Sequence, residues 1–459
     1  MSEFPQDAEE RVDRSAQLTL PVVARFWLPL WASWLLMTTE MPIVNALVAR
    51  MAEAKLQLAS FGIAFSLALA VESPIISLLT AGNALARDRE SFYLLRRFML
   101  GLSAVLTGIM FLLGATPLFD LVVSRFMGTP SELVALVRPA LWALILWPAA
   151  IAYRRFHQGL MIRYGYTRQV SYGTAARLLT SVGVVVAGSL WGQLDGATVA
   201  GLALSAAVIT EAVLVHYLSR PAVRAVEKIV RPADEPPLTL GALLQFYSPL
   251  ALTSVIMLSA ASLINFGLAR SPQPIESLAV WPVVNGQLLV VRSFGFSLQE
   301  VIVARLDGPV AMRVLRQFAT ILGAVALILL VAIAFTPLAP WWQQQIAGLT
   351  DELTAFAIPA LQLAVLLPVL NVLQSWLWGI VVAGKATGAI AQATVINLAV
   401  LVTTLLVGAR GGWLPGASLA AVALTAAQLL ESAWLWRGAR PAQRQISGQR
   451  PVGAVRSLK

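Results

Sequence analysis

What most limits this chain is the length of its apolar runs. Twelve stretches of roughly 20 residues each carry almost no charge, and a run of that length crosses a hydrocarbon core about 30 Å thick as an α-helix. Lipid offers no partner for backbone N–H and C=O groups, so runs this long read as helices rather than strands. Composition agrees: 58% of residues are hydrophobic and 12% are charged, against about 25% charged in an ordinary soluble domain. The fold class this predicts is an all-α polytopic membrane protein. There is no cysteine, which removes disulfides, a thiol nucleophile and cysteine metal sites from consideration.

The spans are predicted at residues 24–49, 57–81, 98–117, 137–156, 171–190 and 196–218, then 244–269, 277–301, 318–337, 357–378, 390–409 and 416–437. This divides the chain into an N-terminal segment (1–23), an N-lobe (24–218), a linker (219–243), a C-lobe (244–438) and a tail (439–459). The linker is polar and holds Pro221, Pro232, Pro236 and Pro237. Cytoplasmic segments attract Lys and Arg. Placing the N-terminus inside puts 25 of the 33 basic residues in inner segments, counting Arg154 and Arg155 there, and six outside. Both termini, the linker and the tail are therefore expected in the cytoplasm, and a bacterial-type inner membrane is the expected location. The net charge of +10 is mostly this topology signal, so nucleic acid is not expected as a partner. The polar first 20 residues lack an apolar signal core and predict no cleaved signal peptide.

The two lobes match at a constant, ungapped offset of 220 residues. Pro29, Asn45, Ala49 and Arg50 correspond to Pro249, Asn265, Ala269 and Arg270. Ser73 and Ser77 correspond to Ser293 and Ser297, and Thr116-Pro117-Leu118 to Thr336-Pro337-Leu338. Glu132, Pro139 and Pro148 correspond to Glu352, Pro359 and Pro368. Alanine and leucine matches arise cheaply between membrane helices; matched proline, asparagine, arginine and glutamate at one offset mark a duplication. Six spans per copy is an even number, so both copies run the same way. They are then related by a pseudo-two-fold axis along the membrane normal, a plan in which substrate binds between the halves and transport proceeds by rocking one against the other.

Ionisable and amide groups inside spans are costly and are functional candidates. Glu72 and Arg292 occupy equivalent positions, which suggests an ion pair across the cleft acting as a gate, with Arg292 also able to receive an anion. Asn45 and Asn265 are a matched pair at the outer ends of their helices, suited to cleft contacts or to helix packing. Glu40 is a candidate for a proton relay. Asn285, Gln287, Gln299 and Glu300 make helix 8 the most polar span and a candidate lining helix. Arg177 and Glu211, with their counterparts Asn397 and Glu431, are expected to make structural contacts within each lobe. His157 and His216 lie apart from acidic clusters, so no metal site is expected, and no cofactor is expected. Pro29, Pro148, Pro249 and Pro368 are expected to kink helices. No G-x-x-x-x-G-K-[ST], G-x-S-x-G or H-E-x-x-H motif is present, so the chain is not expected to be an enzyme.

The stretches LASFGIAFSLALAVESP (58–74), ARDRES (86–91), SPLAL (248–252), SLINFGLAR (262–270) and SLQEVIVAR (297–305) resemble the progressive ankylosis (ANK) family of the multidrug/oligosaccharidyl-lipid/polysaccharide (MOP) exporter superfamily. The resemblance runs over most of the chain. Asn45, Asn265, Arg270 and Glu300 fall on positions that look shared; Glu72 and Arg292 do not. The resemblance implies a MATE-like V-shaped cleft lined by helices 1, 2, 7 and 8. It also implies export of an anionic metabolite such as citrate, pyrophosphate or a nucleotide.

The leading expectation is thus a secondary transporter, monomeric in the bilayer, that exports a small anionic solute, with or without a coupling proton or sodium ion. A proton- or sodium-coupled multidrug antiporter is the alternative and would use Glu40, Glu72 or Glu300. A lipid-linked precursor flippase would want a large basic cavity, for which one midspan arginine is thin support. A non-transporting scaffold or receptor has no need of polar residues at matched depth. Major facilitator proteins share the helix count, but the loop GNALARDRESFYLLRR (82–97) lacks their usual glycine–aspartate–arginine arrangement.

Overall fold

The computed structural model describes residues 18–164, 166–231, 235–306, 308–383 and 388–446. Residues 1–17, Lys385 and the tail from 447 lie outside the described residues. Every regular element among those described is helical. Among the described residues twelve helices are long and apolar enough to cross a membrane, making the chain a multi-pass integral membrane protein. In the first half they are α1 (Leu20–Val48), α2 (Ala54–Leu85), α3 (Arg89–Ala115), α4 (Ser131–Arg163), α5 (Thr167–Trp191) and α6 (Gly196–Leu218). In the second half they are α7 (Leu240–Leu268), α8 (Pro274–Arg305), α9 (Gly308–Phe335), α10 (Asp351–Val382), α11 (Gly388–Gly411) and α12 (Gly416–Ile446). A short helix, Arg220–Lys228, follows α6. Below, the end of the bundle where α1 starts and α6 finishes is the linker end, and the opposite end is the far end.

Each predicted span falls on one of these helices, but several helices run further. Helix α3 begins at Arg89, where Asp88 caps it: the Ser91 amide donates to Asp88 Oδ1 (2.9 Å) and the Asp88 amide donates to Ser91 Oγ (3.1 Å), a reciprocal cap that satisfies first-turn donors. Helix α4 continues to Arg163, past the predicted end of its span at 156, and Arg154 is buried within the bundle rather than free in a loop.

The duplication is visible in the helix breaks. Helix α4 consists of Ser131–Ala143 and Trp147–Arg163, and α10 of Asp351–Leu363 and Leu367–Ala383. The interruptions precede Pro148 and Pro368, which lack the N–H that would bond the carbonyl four residues earlier. A π-helical turn follows α3 at Asp120–Phe126, and another follows α9 at Trp342–Ile346. Helix α2 instead has a break of its own, a 3-10 turn over Ser73–Ser77 that contains Pro74.

Within the first half, α2 packs on α4 so closely that a Cβ at Gly82 would lie 2.8 Å from the Phe156 carbonyl oxygen, and one at Gly159 would overlap the Leu79 carbonyl. In the second half Gly379, the equivalent of Gly159, meets the side chain of Ile302 on α8. Close backbone approach of this kind is what small residues allow between membrane helices. Across the halves, α1 lies on α8 and α7 lies on α2, with α2 and α8 crossing at the centre.

Candidate substrate cavity and the interlobe seam

The helix crossing brings residue 62 of α2 against its own repeat equivalent. A Cβ on Gly62 would lie 2.8 Å from Pro282 Cγ of α8, so the pseudo-two-fold axis passes between them. The matched asparagines close the seam on either side. Asn45 Nδ2 donates to the Pro282 carbonyl and Asn265 Nδ2 donates to the Gly62 carbonyl, each at 3.0 Å. Both are contacts across the lobes rather than within one.

The far end is joined by a second symmetric pair. Arg50 donates to the carbonyls of Gln345 (2.6 Å) and Ile346 (3.1 Å), at the end of the second π-helical turn. Arg270 donates to the carbonyls of Phe126 (2.5 Å) and Met127, at the end of the first. A glycine in the left-handed region ends each turn, Gly348 at φ 76° and Gly128 at φ 69°, and each lies directly under the guanidinium that reaches across. A third link is Lys55, which bridges Glu276 (2.7 Å) and Glu352 (2.9 Å) of the other half.

Towards the linker end, cross-lobe contacts divide into two flanks. On one, Trp27 and Trp31 stack with Phe294, Trp31 donates to Ser293 Oγ (3.0 Å), and Trp34 donates to Glu300 (3.2 Å). On the other, Tyr247 donates to the Pro74 carbonyl (2.5 Å), Ser77 and Ser254 hydroxyls lie 3.2 Å apart, and Ser262 donates to the Ser66 carbonyl (2.9 Å). Among the described residues no hydrogen bond joins the linker halves of α2 and α8 to each other. The lobes are thus joined by charged and amide hydrogen bonds at the far end, and by aromatic and hydroxyl contacts on the two flanks towards the linker end.

Glu72 and Arg292 do not pair, which corrects the expected ion pair. Each turns into its own lobe. Glu72 is buried and accepts a hydrogen bond from Trp147 Nε1 on α4. Arg292 lies against Phe296, its guanidinium carbon 5.6 Å from the ring centre. Equivalent positions on two-fold-related helices face equivalent directions. Here that direction is each lobe's interior.

The interiors differ. In the N-lobe, Glu211 is fully buried, with Arg154 at 2.7 Å, Gln158 Nε2 at 3.1 Å and Arg177 at 3.8 Å. Arg177 also forms an ion pair with Glu40. This network fills the lobe with charge. In the C-lobe the same glutamate recurs as Glu431, held by Asn397 Nδ2 at 2.8 Å, but its neighbours are smaller or neutral. Ala260 replaces Glu40, Gln374 replaces Arg154 and Asn397 replaces Arg177 at the 220-residue offset. The space they leave is a cavity of about 390 Å³. Arg292, Phe296 and Gln299 line it from α8, and Asn371, Gln374 and Trp378 from α10; Asn397 comes from α11, and Gln428 and Glu431 from α12. Trp34 of α1 reaches it from the other lobe, so the cavity borders the cleft. One buried donor on its wall, Arg292 Nε, has no hydrogen-bond partner, whereas the Trp378 indole lies against the Glu431 carboxylate.

The remaining sequence candidates separate. Gln287 does not line the cleft; it accepts from Gln343 Nε2 at 2.8 Å, with both side chains buried. Asn285 is half-buried on α8, and Glu300 is exposed beside Trp34. Tyr153 stands between the two histidines, its ring stacked on His157 at 4.1 Å and its hydroxyl 2.6 Å from His216 Nδ1. Among the described residues no cluster of three metal-ligating side chains occurs. Sequence reading missed Arg154, Gln158, Trp147 and Trp378. A signal existed: Arg154 and Gln374, like Gln158 and Trp378, are polar-capable pairs at the repeat offset, in helices that extend past their hydropathy minima.

No protein-family model matches the chain, and no curated protein matches it in sequence. Solved structures do match its fold. An inward-facing multidrug resistance MATE family transporter of the MOP superfamily matches with TM-score 0.63 at 14% identity, over 91% of this chain and 96% of its own. The lipid II flippase MurJ, in an inward closed conformation, matches with TM-score 0.67 at 12% identity, over 92% and 87%. An outward-facing MATE family transporter matches with TM-score 0.53 at 15% identity, over 92% and 96%. The all-α, twelve-span architecture is therefore the MATE-like fold seen in MOP superfamily transporters.

Proposed function

We propose that this chain is a secondary transporter that works by alternating access, and that its C-lobe cavity receives a solute through an anionic group seated on Arg292. One observation carries this: a guanidinium with an unpartnered, buried Nε on the wall of a cleft-side cavity. A buried N–H without a hydrogen-bond partner is unfavourable, and an incoming carboxylate or phosphate relieves it with a charge-assisted hydrogen bond. The positive-inside pattern supports placing the linker end in the cytoplasm of an inner membrane, which puts the arginine clasps of the far end on the outer side. With the inside negative, each negative charge leaving gains about 2.3 kcal/mol per 100 mV, so an anion can be exported without a coupling ion. The ANK-like motifs supply citrate, pyrophosphate and nucleotide-like metabolites as members of the class.

A second reading, a proton- or sodium-coupled multidrug antiporter, rests on Glu72, a buried carboxylate whose hydrogen bond comes from an indole rather than a cation. Uptake into inverted membrane vesicles separates the two. Potential-dependent uptake of a labelled anion that disappears in Arg292→Ala is the expected result. Cationic dye uptake driven by a proton or sodium gradient, abolished by Glu72→Gln and accompanied by no anion transport, would replace it with the antiporter.

A further inference from the structure

The charge balance of the C-lobe cavity narrows the class of solute. Its wall carries one cation, Arg292, and one carboxylate, Glu431; the other polar side chains are amides, hydroxyls and indoles. In the N-lobe the equivalent glutamate is in direct contact with arginine, Glu211 to Arg154 at 2.7 Å. In the C-lobe the duplication has moved the arginine from α4 to α8 and left Gln374 in its place. Among the described residues no ion pair joins Arg292 to Glu431, and the cavity lies between the helices that carry them. Glu431 instead accepts from Asn397 at 2.8 Å, with Gln374 and Trp378 also against its carboxylate and Arg292 attracting it from across the space. Flat surfaces close the space: Phe296, Trp378, and Trp34 from the other lobe.

A polyanion suits this site poorly. The formal charge of the wall is zero, so two or three negative charges would enter a low-dielectric space with one arginine to meet them and a carboxylate opposing them, and uncompensated charge there is strongly disfavoured. A lone monoanion still faces Glu431. A solute that carries its own cation satisfies both ends. The cavity's volume lies at the small end of ligand sites, which span about 300–1,000 Å³. Indole and phenyl faces accept flat apolar groups and also attract ammonium.

We propose that the C-lobe cavity selects a zwitterionic solute with a flat apolar body: its anionic group on Arg292, its ammonium group towards Glu431, and its body between Trp34, Phe296 and Trp378. This rests on the reading that the cavity receives substrate. Such a solute is close to neutral overall, so the driving force reckoned above for a bare anion does not apply to it, and in the vesicle assay a zwitterion is expected to enter in place of citrate or pyrophosphate, still through Arg292 but with little dependence on the potential.

The test is thermal stabilisation of the full-length protein in lipid nanodiscs by probes of different charge, three of which share a phenyl body. The probes are phenylalanine and tryptophan (zwitterions), 3-phenylpropionate (anion alone), phenethylamine (cation alone), citrate and pyrophosphate. The zwitterions are expected to bind at least tenfold more tightly than either single-charge analogue. Arg292→Gln should remove zwitterion and anion binding together, and Glu431→Gln should reverse the order so that 3-phenylpropionate binds better than phenylalanine. A second variant, Gln374→Arg, places in the C-lobe the partner that Glu211 has in Arg154, and should abolish zwitterion binding; the unliganded melting temperature shows whether each variant is folded. Citrate or pyrophosphate binding that depends on Arg292, with the zwitterions silent, would overturn the zwitterion assignment and leave the cavity as an anion site. If no probe responds to substitution at Arg292, Glu431 or Gln374, both the assignment and the reading beneath it fall.

Discussion

At the scale of single residues, the repeat made the polar side chains legible but not their partners. Asn45 and Asn265 stand out as a matched pair, yet each donates to a backbone carbonyl of the other lobe. Carbonyls leave no trace in a sequence, so no pattern could name Pro282 or Gly62. Glu211 and Arg154 are separated by 57 residues and lie on helices of different register, which only packing brings together. Removing one member of a buried ion pair leaves the other uncompensated, at a cost of about 3–5 kcal/mol. Arg177 at 3.8 Å and Gln158 at 3.1 Å still face Glu211, so Arg154→Met is expected to lower stability in thermal unfolding by less than that amount. Arg154→Met combined with Glu211→Gln should recover most of it, because no charge is then left stranded. A double variant no more stable than the single would show that the pair holds the helices by geometry rather than by charge.

Among elements, the close approach of α2 and α4 is set by two glycines. A side chain at Gly159 has nowhere to go, since its Cβ would overlap the Leu79 carbonyl. Gly159→Val is expected to abolish accumulation of folded protein, read by fluorescence-detected gel filtration. In α3, by contrast, a methyl group added at Gly101 or Gly108 would meet no atom within 4 Å. Each Gly→Ala change there should stabilise by about 0.5–1 kcal/mol in thermal unfolding, because helix-interior glycine retains more freedom in the unfolded chain. The helix breaks were partly legible: Pro148 and Pro368 marked those in α4 and α10. The 3-10 turn of α2 has no equivalent break in α8, although Ser73 and Ser77 are matched by Ser293 and Ser297. Proline at 74, where α8 has Phe294, accounts for the difference.

For the whole molecule, the far-end contacts would define one of the two states of the proposed alternating access. Hydrogen bonds from a charged group contribute about 1.5–3 kcal/mol each, so the two arginine clasps together bias the equilibrium by about 3 kcal/mol or more, roughly a hundredfold. Arg50→Ala with Arg270→Ala should shift the protein towards a conformation parted at the far end. The natural chain has no cysteine, so an introduced one reports alone. Pro42 touches Gly286 across the seam, and Pro42→Cys should react with maleimide faster in the double-arginine variant than in the parent. Equal rates in the two backgrounds would mean that the arginines do not hold the far end shut.

The sequence by itself determined the spans, the duplication and the set of costly polar residues, because each follows from local composition or from one fixed offset. Apolar length dictates helices in lipid whatever they pack against. Tertiary structure alone decided which charges meet. The sequence aligned Glu72 with Arg292, but alignment under a two-fold axis means that two residues face equivalent ways, not that they face each other. Packing turned both inward, bound Arg177 to Glu40 and Glu211 to Arg154, and emptied the corresponding space in the C-lobe. That cavity exists because Ala260, Gln374 and Asn397 are smaller or uncharged where the first copy has Glu40, Arg154 and Arg177, a difference whose consequence appears only once six helices surround it.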